Sequence, residues 1–98
     1  MNDQLSRAEI VKANYAQGKS NMVRKLFALG YGMQWDAVRN PEERKLSRSQ
    51  RVKKHLNEWF LTNEHSPVKE PIDMMTYKQL TVAVTVLENV KANFISKL

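Results

Sequence analysis

The sequence predicts an all-α protein: a single compact domain over residues 1–98, with four main helices and a short extra helical turn. Three observations predict it. Apolar residues recur at helical spacing in each long segment. Ser or Thr followed three residues later by Glu or Gln marks helix starts. Gly and Pro fall between the periodic segments, where they interrupt helices.

The elements follow in chain order. Ser6-Arg7-Ala8-Glu9 is a capping box flanked by Leu5 and Ile10 in hydrophobic-staple positions. It predicts a first helix from about Arg7 to Gln17, with Ala8, Val11 and Tyr15 on its stripe and Gly18 as a left-handed stop. Ser20 then caps a second helix carrying Met22, Val23, Leu26, Phe27 and Leu29, ended by Gly30 and Gly32. Tyr31, Met33 and Trp35 follow in a segment short and aromatic enough to pack inward. Asn40-Pro41-Glu42-Glu43 reads as a helix start, with Pro at the first helical position and acids at the positive dipole end. Ser47-Arg48-Ser49-Gln50 offers a restart, so residues 41–46 form the short extra turn.

A third long helix is predicted from about Arg48 to Thr62, with Val52, Leu56, Trp59 and Phe60 as its buried face. Residues 63–75 contain Pro67 and Pro71 and form an irregular connection that Val68 and Ile72 can tie down. The last element opens with the capping box Thr76-Tyr77-Lys78-Gln79, between Met75 and Leu80 as staple. Leu80, Val82, Val84 and Val86 alternate as in a strand, but Leu80, Val84, Leu87, Val90 or Lys91, Phe94 and Leu98 also form a helical stripe. The box, the staple and a length well beyond the usual five or six residues of a strand decide for helix.

Composition narrows the chemistry. The chain has no Cys, which removes disulfides, thiolate metal sites and a Cys nucleophile. Two histidines, His55 and His65, cannot alone make a zinc site, and no cofactor or metal is expected. The first residues lack the basic-then-apolar run of a secretory signal, and no apolar run approaches the roughly 20 residues of a membrane span. The expectation is a cytoplasmic protein without membrane contact. Glu64-His65-Ser66 holds triad residue types, but consecutive side chains point apart, and there is no nucleophile elbow or phosphate-cradling loop. No enzymatic activity is expected.

Charge is the functional signal. Six of the sixteen Lys and Arg residues lie between positions 44 and 54: Arg44, Lys45, Arg48, Arg51, Lys53 and Lys54, with no acid among them. Residues 1–43 carry six positive and five negative charges, and residues 55–98 carry four and five, so the net +6 belongs to one segment. A concentrated positive field attracts polyanions through neutralised phosphates and released counterions. On a helical wheel Arg48, Arg51 and His55 lie on one side of the apolar stripe, Lys53 on the other, and Lys54 points away from it. Cations wrapped around a helix suit phosphate contact better than base reading. Gln50 and Asn57 have side chains able to hydrogen-bond base edges, but nothing in the pattern marks them out. The competing reading is a solvated face that keeps the chain soluble, and the same holds for the smaller group Lys19, Arg24 and Lys25.

Other binding modes fit the sequence less well. Residues 7–30 resemble a helix–turn–helix with Gly18 at the turn, but the second helix is too apolar for a recognition helix. Trp59, Phe60 and Phe94 fall on core stripes, leaving Tyr31 and Trp35 as aromatic platforms for stacking. The last helix is apolar on more than one face, which suits either a central position or a homodimer contact.

Two blocks carry a resemblance. Val23-Arg24-Lys25-Leu26-Phe27-Ala28-Leu29 with Gly32-Met33, and Met75-Thr76-Tyr77-Lys78-Gln79-Leu80 continuing to Val84, Leu87 and Glu88, are similar to the small phage regulatory proteins of the Mu-type GemA family. The resemblance implies an all-helical accessory protein of a phage or mobile element that modulates transcription or DNA topology, and it assigns no binding residue. Together these readings predict a non-catalytic accessory or regulatory protein contacting nucleic acid, expected as DNA, through the phosphate backbone. The alternative is an adaptor that takes an acidic protein partner on the same patch, as a homodimer through the C-terminal helix.

Overall fold

The computed structural model describes the backbone of residues 7–97 and the side chains of residues 16–97. The Ser6 capping box and its staple therefore lie outside the described residues. Three α-helices and two 3-10 turns make up the fold: α1 (Arg7–Gly32), a 3-10 turn (Pro41–Lys45), α2 (Arg48–Thr62), a second 3-10 turn (Ile72–Met74) and α3 (Tyr77–Ser96). Strands are absent among the described residues. No helix among them is long and apolar enough to cross a membrane.

The expected break at Gly18 does not occur. Arg7–Gly32 is one helix of 26 residues, so the two predicted N-terminal helices are one and the main helices number three. A helical Gly costs about 1 kcal/mol relative to Ala but stops a helix only where it turns left-handed, and no glycine here has positive φ. The reason for Gly18 is packing: a Cβ there would lie 2.5 Å from Cε2 of Tyr77. The continuous helix also removes the helix–turn–helix reading.

Termination falls instead on Gln34, at φ 62°. Its amide donates to Tyr31 O at 3.0 Å, and the Trp35 amide donates to Gly30 O at 2.9 Å. These two bonds form a Schellman cap with Gln34 at the left-handed position that usually holds glycine. The cap turns the chain so that Met33 is buried and Trp35 half-buried, as expected for the aromatic segment.

The later boundaries match their local signals. Asn40 caps the first 3-10 turn through its side chain, which accepts from the Glu43 amide. Ser47 and Gln50 form a complete capping box on α2, and Thr76 and Gln79 form one on α3. Asn57 of α2 accepts from the Ile72 amide at 2.9 Å, and Ser66 donates to Val68 O, so buried Val68 and Ile72 anchor the long connection.

Helices α1 and α3 run parallel. Gly18 faces Tyr77 and, fourteen residues on in both helices, Gly32 faces Lys91. Tyr77, Leu80, Val84, Leu87, Lys91 and Phe94 repeat at alternating spacings of three and four, the seam of a heptad pairing. α2 closes the core from the side, with Val52 and Leu56 against Gly30. Leu26, Met33, Val52, Leu56, Phe60, Leu80, Ala83 and Leu87 are buried at the centre. On α2 the buried face differs from the expected one: Trp59 is half-exposed and His55 is buried in its stead.

Candidate nucleic-acid interface

The basic segment begins on the 3-10 turn Pro41–Lys45 and continues into α2. The capping box at Ser47 sets the helical phase, which turns Arg48, Arg51, Lys54 and His55 toward the connection between α1 and α2. Most of these groups bind that connection.

Arg48 donates from Nε to Asp36 Oδ2 at 2.9 Å, and its guanidinium stacks 5.3 Å from the Tyr31 ring centre. Arg51 donates from Nε to Asp36 O and from Nη1 to Leu46 O, both at 2.6 Å, joining the two ends of the 36–46 segment. Lys53 pairs with Asp73 at 2.6 Å, and Lys54 with Glu43 at 2.7 Å. Four of the six predicted contacts are thus engaged with the protein's own groups. Arg44 and Lys45 are exposed and have no ion pair among the described residues.

Beneath this surface lies a polar centre that the sequence reading missed. His55, expected at the boundary of the helix face, is buried, and so is Glu43. Glu43 Oε1 accepts from the Arg39 amide at 2.8 Å, while Oε2 accepts from Lys54 Nζ at 2.7 Å and from His55 Nε2 at 2.9 Å. His55 Nδ1 lies 2.5 Å from Trp35 O. A carbonyl oxygen only accepts, so Nδ1 carries a hydrogen. A carboxylate faces the other ring nitrogen, so the imidazole is held between two oxygen acceptors. The bond from Lys54 chiefly, with the Arg39 amide and His55, holds the Glu43 carboxyl down to about 2 from 4.5. The same bond raises the Lys54 ammonium above its ordinary 10.5.

The proposed base-reading residues are occupied. Gln50 belongs to the α2 capping box, and Asn57 holds the Ile72 amide. Of the aromatic platforms, Tyr31 is covered by Arg48, whereas Trp35 meets Trp59 with ring centres 6.4 Å apart. Arg39 sits 6.0 Å above Trp35. These three residues, with Glu58, Thr62 and Asn63, line a cavity of about 190 Å3 whose floor reaches His55. In the Glu64-His65-Ser66 run, the Ser66 hydroxyl is buried and donates to Val68 O, while Glu64 and His65 are exposed. No protein-family model, curated protein or solved structure matches this chain.

Proposed function

We propose that the protein is a non-catalytic accessory or regulatory factor that contacts the phosphate backbone of nucleic acid through the surface at the start of α2. The observation that carries this reading is the exposure of Arg44, Lys45 and Arg48 at one end of the fold. Arg48 keeps 70% of its side chain open even while paired with Asp36. Residues 36–55 contain seven Lys or Arg against three Asp or Glu, and Lys53 pairs with Asp73 beyond them, so internal pairing leaves an excess of three positive charges there. Arg51, Lys53 and Lys54 contribute to that field from their internal partners. The GemA-like blocks add a phage or mobile-element setting to this reading.

The test is a shift assay across a salt series with the wild type and an Arg44→Gln, Lys45→Gln, Arg48→Gln variant. Affinity that falls with salt and is lost in the folded variant supports the phosphate contact. Tight binding indifferent to both removes it.

A second reading is an adaptor that pairs with another copy through α3. It is favoured by an uncharged face in a chain of net charge +6: Thr81, Val82, Thr85 and Val86 line a shallow apolar groove, and Val82 is 39% exposed in it. A monomer by light scattering at high concentration rules it out. Capture of acidic proteins after nuclease treatment would favour the adaptor over the nucleic-acid reading.

A further inference from the structure

We propose that Asp36 is a built-in competitor for the phosphate surface: its carboxylate occupies the edge of Arg48 that a phosphate oxygen would take, and a polyanion binds by displacing it. This rests on the nucleic-acid reading above and specifies how that site is restrained.

The occupied edge comes first. Nε and Nη2 of Arg48 both reach one oxygen, Asp36 Oδ2, each at 2.9 Å. Adjacent donors on one side of a guanidinium form the fork that carboxylates and phosphates alike accept. The two ligands therefore compete for the same place.

Second, the partners are held unequally. Asp36 is fixed from behind, because Arg51 Nε donates to its backbone carbonyl at 2.6 Å, and only 20% of its side chain is exposed. Arg48 is largely exposed and rests against the Tyr31 ring. The carboxylate stays where it is while the guanidinium turns outward over Tyr31. The exchange leaves the 36–46 segment tied, since Arg51 still joins Asp36 O to Leu46 O.

Third, of the acids that neutralise the cluster, Asp36 is the one whose pairing can be given up at this surface without loss elsewhere. Glu43 is buried and also accepts from the Arg39 amide and His55, so taking Lys54 from it disturbs the polar centre. Asp73 pairs with Lys53, on the other flank of α2. The Asp36 carboxylate has Arg48 as its one partner among the described residues. Exposed ion pairs are weak and screened by salt, so a phosphate displaces this one readily. Arg44 and Lys45 bring further phosphates of the same strand close, which favours a polyanion over a free ion.

The experiment measures affinity for a DNA duplex and for an RNA strand at one low salt concentration. It compares the wild type, Asp36→Asn, Glu42→Gln, Arg48→Gln and the double variant Asp36→Asn, Arg48→Gln, each verified as folded by circular dichroism. Glu42 is exposed, lies on the turn that carries Arg44 and Lys45, and has no ion pair among the described residues. Its replacement makes the same charge change without freeing Arg48. Asp36→Asn should bind about threefold more tightly than the wild type and more tightly than Glu42→Gln. In the Arg48→Gln background, Asp36→Asn should add nothing. A gain no larger than that of Glu42→Gln, or one that persists without Arg48, overturns the competitor and leaves the phosphate contact standing. No binding of either nucleic acid by any of the proteins overturns both. The wild type supplies a second measurement should Asp36→Asn fail to fold: the carbon-13 resonance of the Asp36 carboxylate should move as nucleic acid is added, while that of Glu43 stays. A stationary Asp36 signal in a protein that binds overturns the exchange.

Discussion

Glu43 and His55 meet inside the fold: Nε2 of the imidazole donates to the carboxylate at 2.9 Å, and the opposite ring nitrogen donates to the Trp35 carbonyl at 2.5 Å. One side chain of α2 thereby fastens both the end of the α1 cap and the 3-10 turn that carries Arg44 and Lys45. Replacing His55 by Leu leaves the Trp35 carbonyl without its donor and removes one of the two donors to Glu43 Oε2 in a buried place. A loss of about 1–3 kcal/mol is expected. Urea denaturation measures it, and a variant as stable as the wild type contradicts the role.

Acid should undo the same centre. The Glu43 carboxyl titrates lower in the folded chain, about 2, than its ordinary 4.5. Its contribution to stability is therefore complete above about pH 4.5 and disappears as pH falls toward 2. Lys54 adds the mirror effect, with a contribution present below 10.5 and lost as pH rises past its elevated value. Melting temperatures across pH 2–7 for the wild type and Glu43→Gln provide the check. The variant should melt lower at neutral pH and show a shallower acid decline; parallel curves would remove Glu43 as the cause.

Gln34 occupies a backbone conformation that favours glycine, with φ 62°. Its side chain is exposed, so little packing is lost on truncation. Gln34→Gly should stabilise the fold by about 0.5–1 kcal/mol, after the extra unfolded-state entropy of glycine is subtracted. Gln34→Val should destabilise it. Thermal melts of the pair decide, and the same sign for both would exclude the cap as the cause.

Gly30 lets α1 and α2 touch. A Cβ there would lie 2.8 Å from Cγ1 of Val52, which is fully buried. Gly30→Ala gains helix propensity of about 1 kcal/mol but overpacks the contact by about 1–3 kcal/mol, for a net loss. Val52→Ala opens space for the added methyl. The double variant should therefore be more stable than the sum of the singles by about 1 kcal/mol.

The salt dependence of binding should be smaller than the raw charge cluster implies. Six phosphate contacts correspond to a log–log slope of about −5, whereas Arg44, Lys45 and Arg48 alone give about −3. A shift-assay series between low and moderate salt separates the two values. The steeper slope would mean that Arg51, Lys53 and Lys54 exchange their internal partners for phosphates.

Where the structure could be read ahead in the sequence, the signals were local. The boxes at Ser47 and Thr76 each lie within four residues, and both helices begin where they indicate. The extra turn after Asn40 is encoded in the same way. Gly18 was misread because its reason is Tyr77, far along the chain, and nothing beside it says so. Glu43 followed an N-terminal pattern that explained it as a dipole partner, which concealed its bond to His55. The cationic segment contains no acid, so its pairing with Asp36, Glu43 and Asp73 on flanking elements had no signature in its own composition. Trp59 shares the helical stripe of Phe60, and periodicity alone could not separate a core ring from one that opens onto a cleft.

The parallel course of α1 and α3 has a last consequence. Two neighbours that point the same way require the chain to travel back between them, and α2 with its flanking connections makes that return. α1 alone is a poor helix, since its three glycines each weaken it by about 0.8–1.0 kcal/mol relative to Ala. Only the neighbours seated against those bare backbone positions offset the deficit. A cut anywhere in residues 63–75 thus frees more than a tail: it strips α1 of the surface that keeps it wound. The molecule is indivisible, and a protease that nicks the return path should erase the intact species without leaving a folded fragment behind.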